Sequence, residues 1–467
     1  MGATGFQPRD VRAFRYLNYE LEISGATVTL GCHYALDDLV FTETVAIEVP
    51  PGTENPSEVE LGAAARLVHL LAGVSYFKAA APPRIEIGEG GLTPPERHLL
   101  EAFYGDGLGE FAYRNDLNLD GLHIDADERP VSRPTDPPST RSRPLIPFGG
   151  GIDSIVTVDG VRTADPEADS ALFVMSRAND RFAAIEVPAA ATALPIVRAE
   201  RTLDPKILRS ADYGFLNGHV PVTGVLSAVA VLAAVASGRN SVVMSNEWSA
   251  SMGNLVHNGR MVNHQWSKSL AFEELLRQTL VTSSLGNIDY FSWLRPFSEL
   301  WVARRFAALN GFHPLFRSCN RSFHLDPTSR LDTWCGQCDK CCFIDLILSP
   351  YLSAEALRGI FSGAEPLADP SLAPKFRVLA GLGDGAKPFE CVGDVDECRV
   401  AVLLASERPD RGDNLLLRSL ADETRVLVPG DPNQHAAALL VPLGPHHIPL
   451  GLAPQDLRPD HSPQAHD

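Results

Sequence analysis

Two stretches of the chain concentrate residues whose types and spacing could do chemistry. The first is Pro144 to Asp159, PLIPFGGGIDSIVTVD. Leu145 and Ile146 read as the end of a short buried strand. Gly149, Gly150 and Gly151 follow, and Asp153 and Ser154 open an apolar segment suited to a helix. A strand, a glycine-rich turn and a helix start make an anion site: backbone N–H groups point outward, the helix dipole adds partial positive charge, and glycine lets a phosphate approach closely. Three glycines alone could equally be a tight turn; the added Asp-Ser favours the phosphate reading. No GxxxxGK[ST] loop is present, which disfavours γ-phosphate transfer of that kind. The second stretch holds four of the eight cysteines, Cys319, Cys335, Cys338 and Cys341, spaced C-x15-C-x2-C-x2-C. Thiolates two residues apart on a turn can share one tetrahedral ion, and Gly336 supplies the turn. Cys342 is adjacent and is expected to point away. Iron–sulfur ligation, redox thiols and disulfides compete with zinc; structural zinc is the favoured reading, because four thiolates leave no open coordination position.

Further polar residues fall in two loops, SNEWSASMGN (Ser245 to Asn254) and VNHQWSKS (Val262 to Ser269). They place Asn246, Glu247, Ser249, Asn254, Asn263, His264, Gln265, Ser267 and Lys268 around two tryptophans, a composition suited to substrate recognition. The bland alternative is a solvated loop capped by a helix from Lys268. The string KPFECVGDVDE sets Lys387, Glu390 and Cys391 among aromatic and glycine residues, as a site loop would, although a buried free cysteine is common. GVSYFKA and EFAYRN put aromatics beside Lys78 and Arg114. Either could meet a substrate or merely half-cover a core.

The elements that must hold these residues read as α/β. Residues 1–127 suggest a small mixed unit, with strands at Thr27–Ala35 and Leu39–Val49 and helices at Pro56–Leu71 and from Pro94 to Tyr104. Residues 128–143, ERPVSRPTDPPSTRSR, read as an inter-domain linker. From 144 to 315, short apolar runs at Ala171–Met175, Leu194–Val197 and Ser241–Met244 alternate with helical material. That is the pattern of a doubly wound parallel sheet, with ligands expected beyond the carboxyl ends of its strands. Residues 316–455 form a helical extension carrying the cysteines, with helices through Ile344–Leu348 and Ala354–Phe361, and a tail over 456–467 is expected to lack structure. The 467 residues carry a net charge of −18, which argues against a nucleic-acid or anionic-membrane surface. The start, MGATGFQPRDVRAFRY, lacks the apolar core of a signal peptide. The apolar run Val225–Ala236 is too short to span a bilayer. The expectation is a cytoplasmic protein with that run buried against a sheet.

PFGGGIDS resembles the SGGxDS pyrophosphate loop of the ATP pyrophosphatase (PP-loop) superfamily, with Gly149 where that pattern has Ser. The late S-C…C-G-x-C-x-x-C arrangement resembles the zinc site of the cyano-deazaguanine (queuosine-precursor) synthases. Taken with SNEWSASMGN, NHQWSKS and KPFECVG in that order, the chain resembles the UDP-N-acetylmuramoyl-L-alanyl-L-glutamate epimerases of peptidoglycan synthesis, from about Gly73 to Gly393. The resemblance implies a UDP-linked muramoyl dipeptide as small-molecule partner, ATP as co-substrate with Mg²⁺, and a structural Zn²⁺. It further implies that Gly149, Gly150, Gly151, Asp153 and Ser154 hold the nucleotide's phosphates, with Asp153 positioning Mg²⁺. Asn246, Ser249, Asn254, Asn263, Ser267, Lys268, Lys387 and Glu390 would bind the dipeptide substrate, while Glu247, His264 and Cys391 are candidates for acid–base work at Cα. Competing readings are an amide or nitrile synthase of the deazaguanine type, a tRNA-modifying enzyme, and a non-catalytic nucleotide- or zinc-binding module.

Overall fold

The computed structural model describes residues 6–53, 56–88, 90–132, 141–324, 326–383, 388–390 and 392–458. Lys387 and Cys391 lie outside the described residues, as do 133–140 of the expected linker and 459–467 of the expected tail.

The fold is mixed α/β, built on one large, mostly parallel sheet. Its strands are β1 (Ala13–Ser24), β2 (Thr27–Leu36), β3 (Leu39–Glu48), β4 (Arg84–Ile87), β5 (His123–Asp125), β6 (Pro144–Pro147), β7 (Ala171–Ser176), β8 (Ile196–Thr202), β9 (Ser241–Met244) and, after the hairpin β10 (Leu255–His257) and β11 (Arg260–Val262), β12 (Asp289–Ser292). They run in the order β12-β9-β6-β7-β8-β3-β2-β1-β4-β5. β12, β9, β6, β7 and β8 are mutually parallel, and β8 meets β3 antiparallel through Thr44–Thr202 to Glu48–Arg198. The strands of the expected 1–127 unit and those of the expected 144–315 unit therefore join in one sheet.

The parallel half is wound on both faces, which explains why its central strands β6, β7 and β9 are mostly apolar, whereas β8, which borders β3, alternates buried Val197 and Ala199 with half-buried Arg198 and Glu200. Leu145, Phe173, Val242 and Tyr290 point into one core with the helices Glu58–Ala72, Val222–Ala236 and Leu270–Val281. Their neighbours Ile146, Leu172, Val243 and Phe291 point into a second core with the helices Ile152–Ala164, Glu299–Ala307 and Asp339–Leu348. Strand order reverses at β6, whose neighbours are β7 on one side and β9 on the other. A crevice opens beyond the strand ends at such a reversal.

Several expectations shift in position. The strand expected at Leu194–Val197 begins at Ile196 and extends to Thr202. The helix expected from Lys268 begins at Leu270, because Ser269 caps it by accepting from Phe272 N. The expected structureless tail is tied down at its start: Asp456 accepts from Trp301 Nε1 at 3.1 Å, within the short turn Gln455–Leu457. The apolar run lies within the helix Val222–Ala236, packed against Glu58–Ala72. Among the described residues no helix is long and apolar enough to cross a membrane.

Candidate active site

The glycine turn stands where β6 ends and the helix Ile152–Ala164 begins, with Gly151 as its N-cap. Gly150 has φ +76°, and a Cβ there would sit 2.2 Å from Ala184 O, so only glycine fits. Arg317 N donates to Gly150 O at 3.3 Å, and a Cβ at Gly151 would lie 2.9 Å from Ser318 Oγ. The turn is thus braced against the residues that precede Cys319. Ser154 is buried and donates to Gly151 O at 3.1 Å. Gly149 is exposed, and a Cβ there meets nothing within 4 Å.

The loop after β9 lies beyond the neighbouring strand end, and the hairpin β10–β11 folds the second polar string back onto it. Asn258 and Gly259 form the hairpin turn, at φ 49° and 76°. The Asn-Gly pair provides the positive φ at both central positions that a two-residue hairpin requires. Asn254 N then donates to Val262 O at 2.7 Å, and Asn254 Oδ1 accepts from His264 N at 2.8 Å. Asn263 uses both ends of its amide within the loop, donating to Ala250 O at 3.0 Å and accepting from Gln265 N at 2.8 Å. Asn246 exchanges backbone bonds with Ser292 Oγ, and Asn246, Ser249 and Ser267 are buried. Much of the polar density in these strings therefore shapes the loop. Lys268 donates to Gln265 Oε1 at 3.3 Å. Trp248, Trp266, Asn263 and Arg295 line one wall of a cavity of about 570 Å³.

His264 meets two residues from distant parts of the chain. Its Nδ1 is hydrogen-bonded to Glu110 Oε2, and its ring lies on that of His219 with centroids 4.2 Å apart. Glu110 is buried, and its other oxygen accepts from Arg114 Nε at 2.6 Å. Burial pushes the Glu110 carboxyl up, but the bonds from His264 and Arg114 outweigh it and hold the group below its ordinary value. Burial lowers His219 to about 4. Phe389 closes this side: Arg114 stacks over its ring at 4.9 Å, and Tyr113 lies 5.7 Å from it. Asn254 Nδ2 donates to Pro388 O at 3.1 Å, and Asn320 Nδ2 to Glu390 Oε1 at 3.0 Å. The segment 388–390 thus spans from the histidines to the cysteines. Of the two aromatic strings, EFAYRN reaches this cleft. In GVSYFKA the residues Val74–Phe77 are a buried helical turn, and Lys78 donates to Asn217 Oδ1 at 2.9 Å.

Behind the glycine turn, Glu247 and Glu299 are buried close to Asp153 and Lys340. Glu299 Oε2 is buried with no hydrogen-bond partner. Burial raises the Glu299 carboxyl far above its ordinary value; Glu247, Asp153 and Glu397 push the same way, and Lys340 opposes them. Crowded carboxyl oxygens of this kind suit a hard divalent cation.

The sulfurs of Cys319, Cys335, Cys338 and Cys341 lie within 4.8 Å of one another. Cys338 and Cys341 sulfurs are 3.4 Å apart, and those of Cys335 and Cys341 3.6 Å. A disulfide needs about 2.05 Å, whereas four sulfurs about 2.3 Å from one zinc ion stand about 3.8 Å apart. Gly336, at φ +68°, turns the chain so that Gln337 N and Cys338 N donate to Cys335 Sγ. Cys338 caps the helix Asp339–Leu348, whose N-terminus favours thiolate. Cys342 is buried in the second core, outside the cluster.

Family models match nearly the whole chain: the MurL N-terminal domain over residues 5–293 and the MurL C-terminal domain over 315–435. Three curated relatives carry the name UDP-N-acetyl-alpha-D-muramoyl-L-alanyl-L-glutamate epimerase. The one from Salinispora tropica is 38% identical over 96% of this chain and 96% of its own length. That from Micromonospora sp. is 39% identical (95% and 97%), and that from Xanthomonas oryzae pv. oryzae 37% identical (96% and 98%). The chain belongs to the MurL family. No solved structure matches it. In this MurL-family chain, the glycine turn and the Glu110–His264 pair lie in the stretch matched by the N-terminal domain, and the cysteines in that matched by the C-terminal domain. The likeness is broader than the stretch from Gly73 to Gly393 that its motifs pick out.

Sequence reasoning singled out the string that Glu110 opens for its aromatics and Arg114 but not for its carboxylate, and it passed over His219, Arg295 and Glu299. Only the hairpin carried a local signal, the Asn258-Gly259 pair; the others become neighbours through the fold alone. Arg295, 1% exposed, is the clearest case. It donates to Glu247 O at 3.0 Å and to Lys268 O at 2.6 Å, holding the two polar loops together.

Proposed function

We propose that the protein inverts the terminal L-Glu of UDP-N-acetylmuramoyl-L-alanyl-L-glutamate to D-Glu, using ATP and releasing AMP and pyrophosphate, in cytoplasmic synthesis of peptidoglycan precursors. The observation that carries this reading is that three relatives, each matched over 95% or more of this chain, are named as epimerases of that muramoyl dipeptide; the use of ATP is the further part of the proposal.

A Cα proton beside an ionised carboxylate is very weakly acidic, because the enolate would carry a second negative charge. Transfer of AMP to that carboxylate removes its charge and makes the carbonyl electron-withdrawing. The Cα proton can then leave to a base and return on the opposite face, and hydrolysis releases AMP. The strand-order reversal at β6 supports a PP-loop reading of the glycine turn. In this reading Gly149, Gly150, Gly151 and Ser154 cradle the pyrophosphate. Asp153, beside Glu247 and Glu299, would hold Mg²⁺, which neutralises charge on the leaving group. Lys268 and Lys387 would meet substrate phosphates or carboxylates, and Glu390 would also bind the substrate. Inversion needs acid–base groups on both faces; His264, Glu247 and Cys391 are the candidates. A Zn²⁺ held by Cys319, Cys335, Cys338 and Cys341 would be structural, fastening the helical region to the residues that brace the glycine turn.

The test is to incubate the protein with ATP, Mg²⁺ and the UDP-muramoyl dipeptide in deuterium oxide. D-Glu carrying deuterium at Cα, with AMP and pyrophosphate, is expected. Recovery of only undeuterated L-Glu would sink the reading.

A further inference from the structure

We propose that Glu110 is the positioning residue of His264: its carboxylate accepts the Nδ1 proton of the imidazole and so assigns proton transfer at the substrate Cα to Nε2. The proposal rests on the epimerisation reading above and specifies which group serves one face of the carbon.

An ionised carboxylate can only accept, so a hydrogen bond between Glu110 Oε2 and His264 Nδ1 puts the proton on Nδ1. The neutral ring then has its lone pair on Nε2, the form a general base requires. Arg114 engages the second oxygen of Glu110. The pair is built as a gradient of exposure. The Glu110 side chain is 5% exposed and that of His264 14%, so the carboxylate is the more deeply buried of the two and the imidazole the more accessible. The backbone of His264 is set by Asn254 Oδ1, and Asn254 also holds Pro388, so the imidazole and the segment bearing Phe389 and Glu390 are positioned by one amide.

The same three side chains, Glu110, His219 and His264, bring donor atoms within 4.8 Å of one another, as a metal site would. Ring geometry argues otherwise. A ligated metal lies in the plane of each imidazole, whereas these two rings lie against each other, tilted by 38° with centroids 4.2 Å apart. So close a ring contact suits one histidine walling the other. His219, held mostly neutral by burial, walls the imidazole without adding a charge beside it at neutral pH.

In the step assigned to the pair, the Cα–H bond breaks, the proton passes to His264 Nε2, and the electron pair is taken up by the activated acyl carbonyl as an enolate. Glu110 stabilises the imidazolium through Nδ1 and is not itself protonated. The opposite face is reprotonated by a second group, and the imidazolium returns its proton to solvent.

The test uses the full chain, with Glu110→Gln, Glu110→Asp, His264→Gln and the double variant Glu110→Gln/His264→Gln. Two readouts are followed: substrate-dependent ATP–pyrophosphate exchange, and solvent deuterium entering Cα. In Glu110→Gln, Cα exchange is expected to fall by at least about 100-fold, the lower end of what a general base contributes. Pyrophosphate exchange should fall less than about threefold. Glu110→Asp should recover part of the loss, and the double variant should be no slower than His264→Gln, because both act through one proton transfer. Four results would overturn the proposal: wild-type Cα exchange in Glu110→Gln, equal loss of both readouts, multiplicative loss in the double variant, or a bound metal beyond the cysteine site that Glu110→Gln removes. If wild-type protein exchanges pyrophosphate but never the Cα proton, the epimerisation reading falls, and this assignment falls with it.

Discussion

Arg295 Nε donates to Glu273 Oε2 at 3.0 Å, with both residues 1% exposed. The rest of the guanidinium is spent on the carbonyls of Glu247 and Lys268, so the ion pair anchors both polar loops. Burial raises the Glu273 carboxyl even though Arg295 pulls it down, so the site depends on both partners being present. Arg295→Ala leaves a carboxyl buried without its cation and should destabilise the protein by about 3–5 kcal/mol. Denaturant unfolding will read this, and Arg295→Lys should recover only part, because an ammonium cannot reproduce the planar fork.

Gly150 and Gly149 should respond oppositely to substitution. Gly150→Ala places a methyl 2.2 Å from Ala184 O at a positive φ. It should cost about 1–3 kcal/mol and suppress pyrophosphate release. Gly149→Ser meets open space and should leave stability within about 0.5 kcal/mol, with pyrophosphate release retained. Thermal unfolding and a pyrophosphate assay on both variants check the contrast; loss of release in Gly149→Ser would contradict it.

Asp153 is the test of the proposed nucleotide site. It opens the helix that begins at the glycine turn and lies beside Glu247 and Glu299. Asp153→Asn keeps the shape and removes the charge, and AMP formation should fall by at least about 100-fold. Undiminished AMP formation in that variant would discredit the assignment.

The four clustered cysteines should hold one metal ion per chain by elemental analysis. Stripping it with a chelator, or replacing Cys338 with Ser, should lower the unfolding temperature, because site binding energy is folding energy. The loss should extend to substrate affinity, since Asn320, next to Cys319, bonds Glu390. Metal removal with no change in thermal stability would refute a structural role.

Acid should destabilise the protein through its buried histidines. Burial lowers His69 from 6.5 to about 3, and His219 to about 4. The unfolded chain takes up protons that these rings refuse when folded. Their contribution is therefore intact above pH 6.5 and is lost as pH falls from there toward the folded values, by on the order of 1 kcal/mol per pH unit for each histidine. His69 lies among Tyr16, Tyr19 and Tyr34. His69→Phe fits that aromatic setting and should flatten the acid limb of stability against pH, measured by denaturant titration between pH 4 and 7.

Local chemistry in the sequence was enough to place the glycine turn, the cysteine cluster, the all-apolar strands at Ala171 and Ser241 and the buried helix ending at Ala236. Each rests on neighbours in the chain: glycine permits a turn, cysteines two apart share a turn, and a strand buried on both faces must be apolar along its length. The order of strands, the joining of β3 to β8 and the companions of His264 were decided only by tertiary structure. Glu110 and His264 are 154 residues apart, and Asn320 and Glu390 are 70 apart. Nothing in either residue's local sequence announces its partner, because a hydrogen bond between distant side chains records where the backbone has carried them. Packing of helices on two faces of a twisted sheet sets that path, and residue type alone does not.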